Sequence, residues 1–67
     1  MTEIELNGVP HEVPARYTLR ALVESLGLSR QSLAVAVNRN VVPRQQWDAH
    51  LLQARDQVDI VRAIGGG

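Results

Sequence analysis

Apolar and polar positions alternate from the start of the chain, with Ile4 and Leu6 on one face and Glu3 and Glu5 on the other. A period of two predicts a half-buried strand. Asn7-Gly8 follows, and because both residue types tolerate positive φ the pair is the strongest short-range signal for a tight hairpin turn. Val9–Val13 then reads as the returning strand. Pro10 confines that strand to a sheet edge, or requires its missing donor to point outward.

The period next changes from two to 3.6. Thr18 suits an N-cap, and Leu19, Leu22, Val23 and Leu26 follow at i, i+3, i+4 and i+7. Tyr17, just before the cap, can pack on Leu22 as a hydrophobic staple. Gly27 is placed to be the left-handed residue that ends the helix, with Leu28 folding back on Val23. Leu33–Val37 (LAVAV) is a continuous apolar run of the kind found near the centre of a sheet. Asn38-Arg39-Asn40 is turn-like, Val41-Val42 returns, Pro43 stops it, and Arg44 to Trp47 is expected to make a single helical turn. Leu51 and Leu52 are both expected to be buried. Ala54-Arg55-Asp56-Gln57 predicts a turn into a last strand, Val58 to Ile64. There Val58, Ile60 and Arg62 alternate with Asp59, Val61 and Ala63, so partial burial is expected on both faces.

A hairpin, one helix and two or three further strands predict an α+β domain: a mixed sheet of four to five strands with one main helix on one face. The first and last strands, long and apolar, are expected to pair in the middle. That is the β-grasp, or ubiquitin-like, arrangement. It is assigned to residues 1–64, with 65–67 as a flexible C-terminal glycine tail.

Sixty-seven residues leave room for one small core beside little else, since a domain of this size buries only ~60% of its unfolded surface. The 45% apolar content suits a folded protein. Seven basic and seven acidic residues cancel, and the basic ones are scattered. No clustered basic face of the kind nucleic-acid binding needs is therefore expected. No apolar run approaches the ~20 residues of a membrane span. The acidic, alternating start is unlike a signal peptide, which makes the cytoplasm the expected location. The chain has no cysteine and no lysine. Those absences remove thiolate and side-chain amine chemistry together.

What remains is Gly65-Gly66-Gly67, directly after a strong strand. A carboxylate resists nucleophiles until adenylation gives it a leaving group, after which sulfur can attack the carbonyl. Chain without Cβ atoms can thread a narrow channel. The α-carboxyl group of Gly67 is thus the candidate reactive group. The other candidates read as ordinary surface or loop residues: His11 and His50 lack metal-ligand spacing, and Ser25, Ser29 and Ser32 lack a base at a suggestive spacing. Trp47 reads as a core or core-edge side chain rather than a docking anchor. No glycine-rich phosphate loop is present.

The stretches IELNG, AVAVNRNVVPRQQW, ARDQVDIV and AIGGG together resemble the thiamine-biosynthesis sulfur carrier (ThiS) family over essentially the whole chain. The resemblance implies that a ubiquitin-activating-type adenylating enzyme (ThiF-like) acts on the Gly67 carboxylate with ATP and magnesium. The chain itself would bind no cofactor. Sulfur from a cysteine desulfurase would make a thiocarboxylate, and thiazole synthase (ThiG-like) would take that sulfur for the thiazole ring of thiamine. The chain would be a protein co-substrate rather than an enzyme. Gly66 and Gly67 inherit the tail's role, and Gly65 matches some members. Family members often have glycine before aspartate where this chain has Arg55-Asp56. The small subunit of molybdopterin synthase shares the fold and the terminal chemistry but tends to be longer and richer in phenylalanine, of which this chain has none. A ubiquitin-like protein modifier and a non-reactive ubiquitin-like binding module are the other readings. Partner docking is expected on the exposed part of the sheet and on Arg62, Ala63, Ile64 and Gly65, just before the reactive end.

Overall fold

The structure, a computed structural model, describes residues 1–28 and 30–62. Ser29, the end of the last expected strand and the glycine tail, with the domain boundary drawn before it, lie outside the described residues.

Strands β1 (Thr2–Leu6) and β2 (Val9–Val13) pair antiparallel. Asn7 (φ 51°) and Gly8 (φ 82°) join them, both left-handed as a two-residue hairpin requires. Helix α1 spans Leu19–Ser25 and is closed at both ends by its own sequence. Thr18 Oγ1 accepts the Ala21 N–H at 3.1 Å. At the other end Gly27 takes φ 73°, its N–H reaches the Glu24 carbonyl and the Leu28 N–H reaches the Val23 carbonyl. That pair of bonds is a Schellman cap. Leu26, expected in the apolar stripe, sits at the C-cap and is 36% exposed.

Strand β3 (Leu33–Val37) turns through Asn38 and Arg39 into the short β4 (Asn40–Val41), and β5 covers Gln57–Arg62. Among the described residues these five strands form one mixed sheet in the order β2-β1-β5-β3-β4, with β1 and β5 parallel and every other neighbouring pair antiparallel. The first and last strands therefore pair inside the sheet, and Pro10 lies on an edge strand, as the sequence predicts. This is the β-grasp fold.

Helix α1 covers one face. Ile4, Val35 and Val58 from the sheet meet Leu19, Leu22 and Val23 from the helix, each 0–1% exposed. Burying a side chain of this size contributes ~1.5–3 kcal/mol, so these contacts dominate a core this small. The LAVAV run serves one face only: Val35 and Val37 are buried, whereas Ala34 is exposed and Ala36 half-buried. Strand β5 likewise buries Val58 and half-buries Ile60 but leaves Val61 62% exposed, which corrects the expectation of partial burial on both its faces.

Pro43 is followed by a 3-10 helix, Arg44–Ala49, longer than the single turn expected. It brings Trp47 into the core, 3% exposed, with its indole N–H donating to the Val42 carbonyl at 2.9 Å. Leu51 and Leu52 do not share a fate. Leu52 is buried, whereas Leu51 is 51% exposed. The backbone is extended there and bridges to the start of α1, with Leu19 N–H on the His50 carbonyl and Leu52 N–H on the Tyr17 carbonyl. Neighbouring side chains on an extended chain point to opposite sides, so only one can reach the core.

Candidate functional site

The face of the sheet opposite α1 is uncovered. Register places its side chains in a definite order. Pro10 and Glu12 on β2 stand opposite Glu5 and Glu3 on β1, and Glu5 neighbours Gln57 at the start of β5. Farther across, Ala36 lies between Asp59 and Val41, and Ala34 stands opposite Val61. All four carboxylates are exposed, as are Val41 (74%) and Val61 (62%). One flank is acidic and the other is apolar.

Strand β5 links this face to the expected reactive end. It is held on both sides, by β1 and by β3, so its path is set before the chain reaches Arg62. The Asn7 side-chain oxygen extends the β1 side of the ladder by accepting the Ile60 N–H at 2.8 Å. Arg62 is exposed and in register with Leu33, on the helix side of the sheet. Its Nη1 donates to Gln31 Oε1 at 3.1 Å. With Leu6, Asn7, Leu26, Leu28 and Ile60 it lines a shallow groove of about 380 Å³. Of the residues predicted to act or dock at the end of the chain, Arg62 is thus placed. Ala63, Ile64, Gly65, Gly66 and Gly67 lie outside the described residues.

The remaining polar candidates are dispersed. His11 is half-buried on edge strand β2, and His50 follows the 3-10 helix. Ser25 Oγ donates back to the Leu22 carbonyl at 2.8 Å, a local helix-end bond. No group of three or more histidine, aspartate or glutamate side chains among the described residues is placed to hold a metal ion. No described helix is long and apolar enough to cross a membrane. Sequence reasoning pointed to the exposed sheet in general and missed Val41 and the alanines of β3. The signal was present in the alternation Leu33, Val35, Val37 against Ala34, Ala36, which a continuous apolar run conceals.

A ubiquitin-like β-grasp domain whose central strand leads to a glycine end defines the class. The chain belongs to the ThiS family, whose model matches residues 3–67. It is 34% identical to the sulfur carrier protein ThiS of Escherichia coli K12, over 97% of this chain and 98% of that protein. It is also 43% identical to a thiazole synthase of Magnetococcus marinus, over 97% of this chain, and there it spans only 20% of the longer protein. The crystal structure of a thiamine biosynthesis protein (ThiS) from Geobacter metallireducens superposes with a TM-score of 0.82 at 26% identity, covering 98% of this chain and 100% of the other.

Proposed function

We propose that this chain carries sulfur for the thiazole ring of thiamine, with the Gly67 α-carboxylate as the atom group that is activated and loaded. The observation that carries this reading is the end-to-end match to a protein named as a sulfur carrier, together with a family match that runs through Gly66 and Gly67. The thiazole synthase of Magnetococcus marinus, which contains a segment resembling nearly the whole chain, favours thiazole synthase as the sulfur acceptor over molybdopterin synthesis.

In the proposed cycle the Gly67 carboxylate attacks the α-phosphorus of ATP on a ubiquitin-activating-type partner, and pyrophosphate leaves. The terminal sulfur of a persulfide, formed by a cysteine desulfurase, then attacks the acyl carbon and expels AMP to give an acyl disulfide. A thiolate cleaves its S–S bond, forming a disulfide with the sulfur that carried the persulfide and releasing the thiocarboxylate. ATP and magnesium belong to the partner's site, and the chain acts as co-substrate. Within the chain, Gly65, Gly66 and Gly67 offer no side chains to obstruct a narrow channel. Ordering each costs roughly 1–2 kcal/mol, and bare backbone has little to offset it with. Docking of the folded body, with Arg62, Ala63 and Ile64 beside the tail, supplies the difference.

Intact-mass measurement after incubation with the activating enzyme, ATP and a sulfur donor tests the reading. The expected product has gained one oxygen-for-sulfur exchange at the C-terminus. No adenylate and no exchange with an authentic partner overturns it.

A further inference from the structure

Strand β5 has two sides, and both flank the route to the C-terminus. Val61 belongs to the open face, whereas Ile60, in register with the buried Val35, and Arg62, in register with Leu33, belong to the helix side. There Ile60 joins Leu6, Leu26 and Leu28 in lining the groove of about 380 Å³, with Asn7 and Arg62 as its polar lining and no acidic side chain. Arginines gather beside it. Gln31 accepts Arg62 Nη1 on its side-chain oxygen at 3.1 Å and Arg44 Nη2 on its carbonyl oxygen at 2.6 Å, and the exposed Arg30 precedes it in the chain. Being neutral, Gln31 cancels neither charge. Among the described residues no carboxylate comes within ion-pair distance of Arg30 or Arg62. An apolar groove beside gathered positive charge fits an apolar side chain flanked by carboxylates.

We propose that this helix-side groove seats the protein that delivers persulfide sulfur. The docking segment places a large apolar side chain among Leu6, Leu26, Leu28 and Ile60, and one or more carboxylates against Arg62 and Arg30. The inference rests on the sulfur-carrier reading. In that cycle the acyl-adenylate exists only while the adenylating enzyme holds the carrier, so the sulfur donor needs a surface that this enzyme leaves free. The acceptor of the sulfur arrives after release and needs no second seat. Groove and open face lie on opposite sides of the sheet, so covering one does not block the other. Reach agrees with this assignment. Ala63 to Gly67 is five residues, at most about 18 Å, so a donor seated beside Arg62 lies within one tail length of the acyl carbon. Charge selects carboxylates, which pair with guanidinium groups through strong charge-assisted bonds. A phosphate backbone needs a broad basic face, and an apolar wall gives it nothing.

The test follows thiocarboxylate formation by intact mass, with the source organism's adenylating enzyme, ATP and one of two sulfur sources. One is the cysteine desulfurase charged as its persulfide, with a thiol present; the other is free hydrosulfide, which attacks the acyl carbon, expels AMP and needs no docking. Wild type is compared with Arg30→Glu and Leu26→Ser. Arg30 is exposed and Leu26 is 36% exposed, so neither change threatens the fold. The expected result is a half-maximal desulfurase concentration raised about threefold or more in each variant, with loading by hydrosulfide unchanged. For wild type that concentration also rises with salt. Unchanged desulfurase dependence in both variants overturns the seat and leaves the carrier reading intact. Equal slowing with both sulfur sources also overturns it, by placing the defect in adenylation. So does wild type that hydrosulfide loads and the desulfurase does not. Self-association of wild type, seen by sedimentation and abolished by Arg30→Glu, gives the groove to a second copy and overturns it too. No loading of wild type from either source removes the carrier reading, and the inference with it.

Discussion

The side-chain oxygen of Asn7 accepts the backbone N–H of Ile60 at 2.8 Å, while the Asn7 N–H donates to the Val58 carbonyl at 2.9 Å. One turn residue thus closes the first hairpin and fastens the strand that leads to the C-terminus. Replacing it separates two contributions. Asn7→Gly keeps the left-handed backbone and loses the acceptor, costing about 0.5–1.5 kcal/mol. Asn7→Ala also places an ordinary side chain at φ 51°, adding about 1–2 kcal/mol. Asn7→Asp retains an acceptor and should lose least. Denaturant unfolding gives the order, and faster hydrogen exchange at the Ile60 amide identifies the bond responsible.

Arg39 and Arg55 hold φ 68° and 69° in two turns at the same end of the sheet. Left-handed backbone costs a residue with a Cβ about 1–2 kcal/mol, and glycine's extra freedom in the unfolded chain returns about 0.5–1 of that. Arg39→Gly and Arg55→Gly should therefore each stabilise the domain by about 0.5–1 kcal/mol, a Tm rise of roughly 2–8 °C for this size. The two turns are tied by Asn38 Nδ2 donating to Asp56 Oδ1 at 3.0 Å, so the double variant should deviate from the sum of the singles. Thermal unfolding of the three variants checks both points. A fall in Tm on Arg55→Gly would mean that the arginine side chain contributes more than the backbone strain costs.

Trp47 is the only tryptophan, and its indole N–H satisfies a buried carbonyl, that of Val42. Trp47→Phe keeps most of the apolar bulk but leaves that oxygen without its donor, an expected loss of about 1–3 kcal/mol. Trp47→Ala adds a cavity, for about 3–5 kcal/mol in total. In the wild type, native fluorescence should be blue-shifted and should move to the red in one transition with the backbone signal on unfolding. Two separate transitions would place the 3-10 helix outside the cooperative unit.

Local signals were readable in the sequence because they act locally. Thr18 and Gly27 mark the ends of α1 through bonds made within one helical turn, and Asn7-Gly8 needs only its own dihedrals. The central pairing of β1 with β5 was also legible, because the most apolar strands belong where both edges are covered. What stayed hidden depends on distant partners. Whether Leu51 or Leu52 points inward is decided by the bridge to Thr18, thirty-odd residues away. The one-sided burial of β5 follows from α1 covering only one face of the sheet, which no strand pattern states. For the site, the acidic positions were visible as alternation, but Glu3 facing Glu12 requires the hairpin register.

Removing Gly66 and Gly67 separates recognition from chemistry. The described core closes without them, since Ile4, Leu22, Val23, Val35 and Val58 pack on one another and β5 is paired on both sides. Stability should change by no more than about 0.5 kcal/mol, as for surface changes away from packed features. Loading should cease, because no acyl group remains in reach of the adenylating centre. If the folded body provides the docking energy, the shortened chain should still occupy the partner and inhibit loading of wild type competitively, with an inhibition constant near the wild-type KM. Inhibition weaker by a hundredfold or more, about 2.7 kcal/mol, would shift recognition from the sheet to the tail.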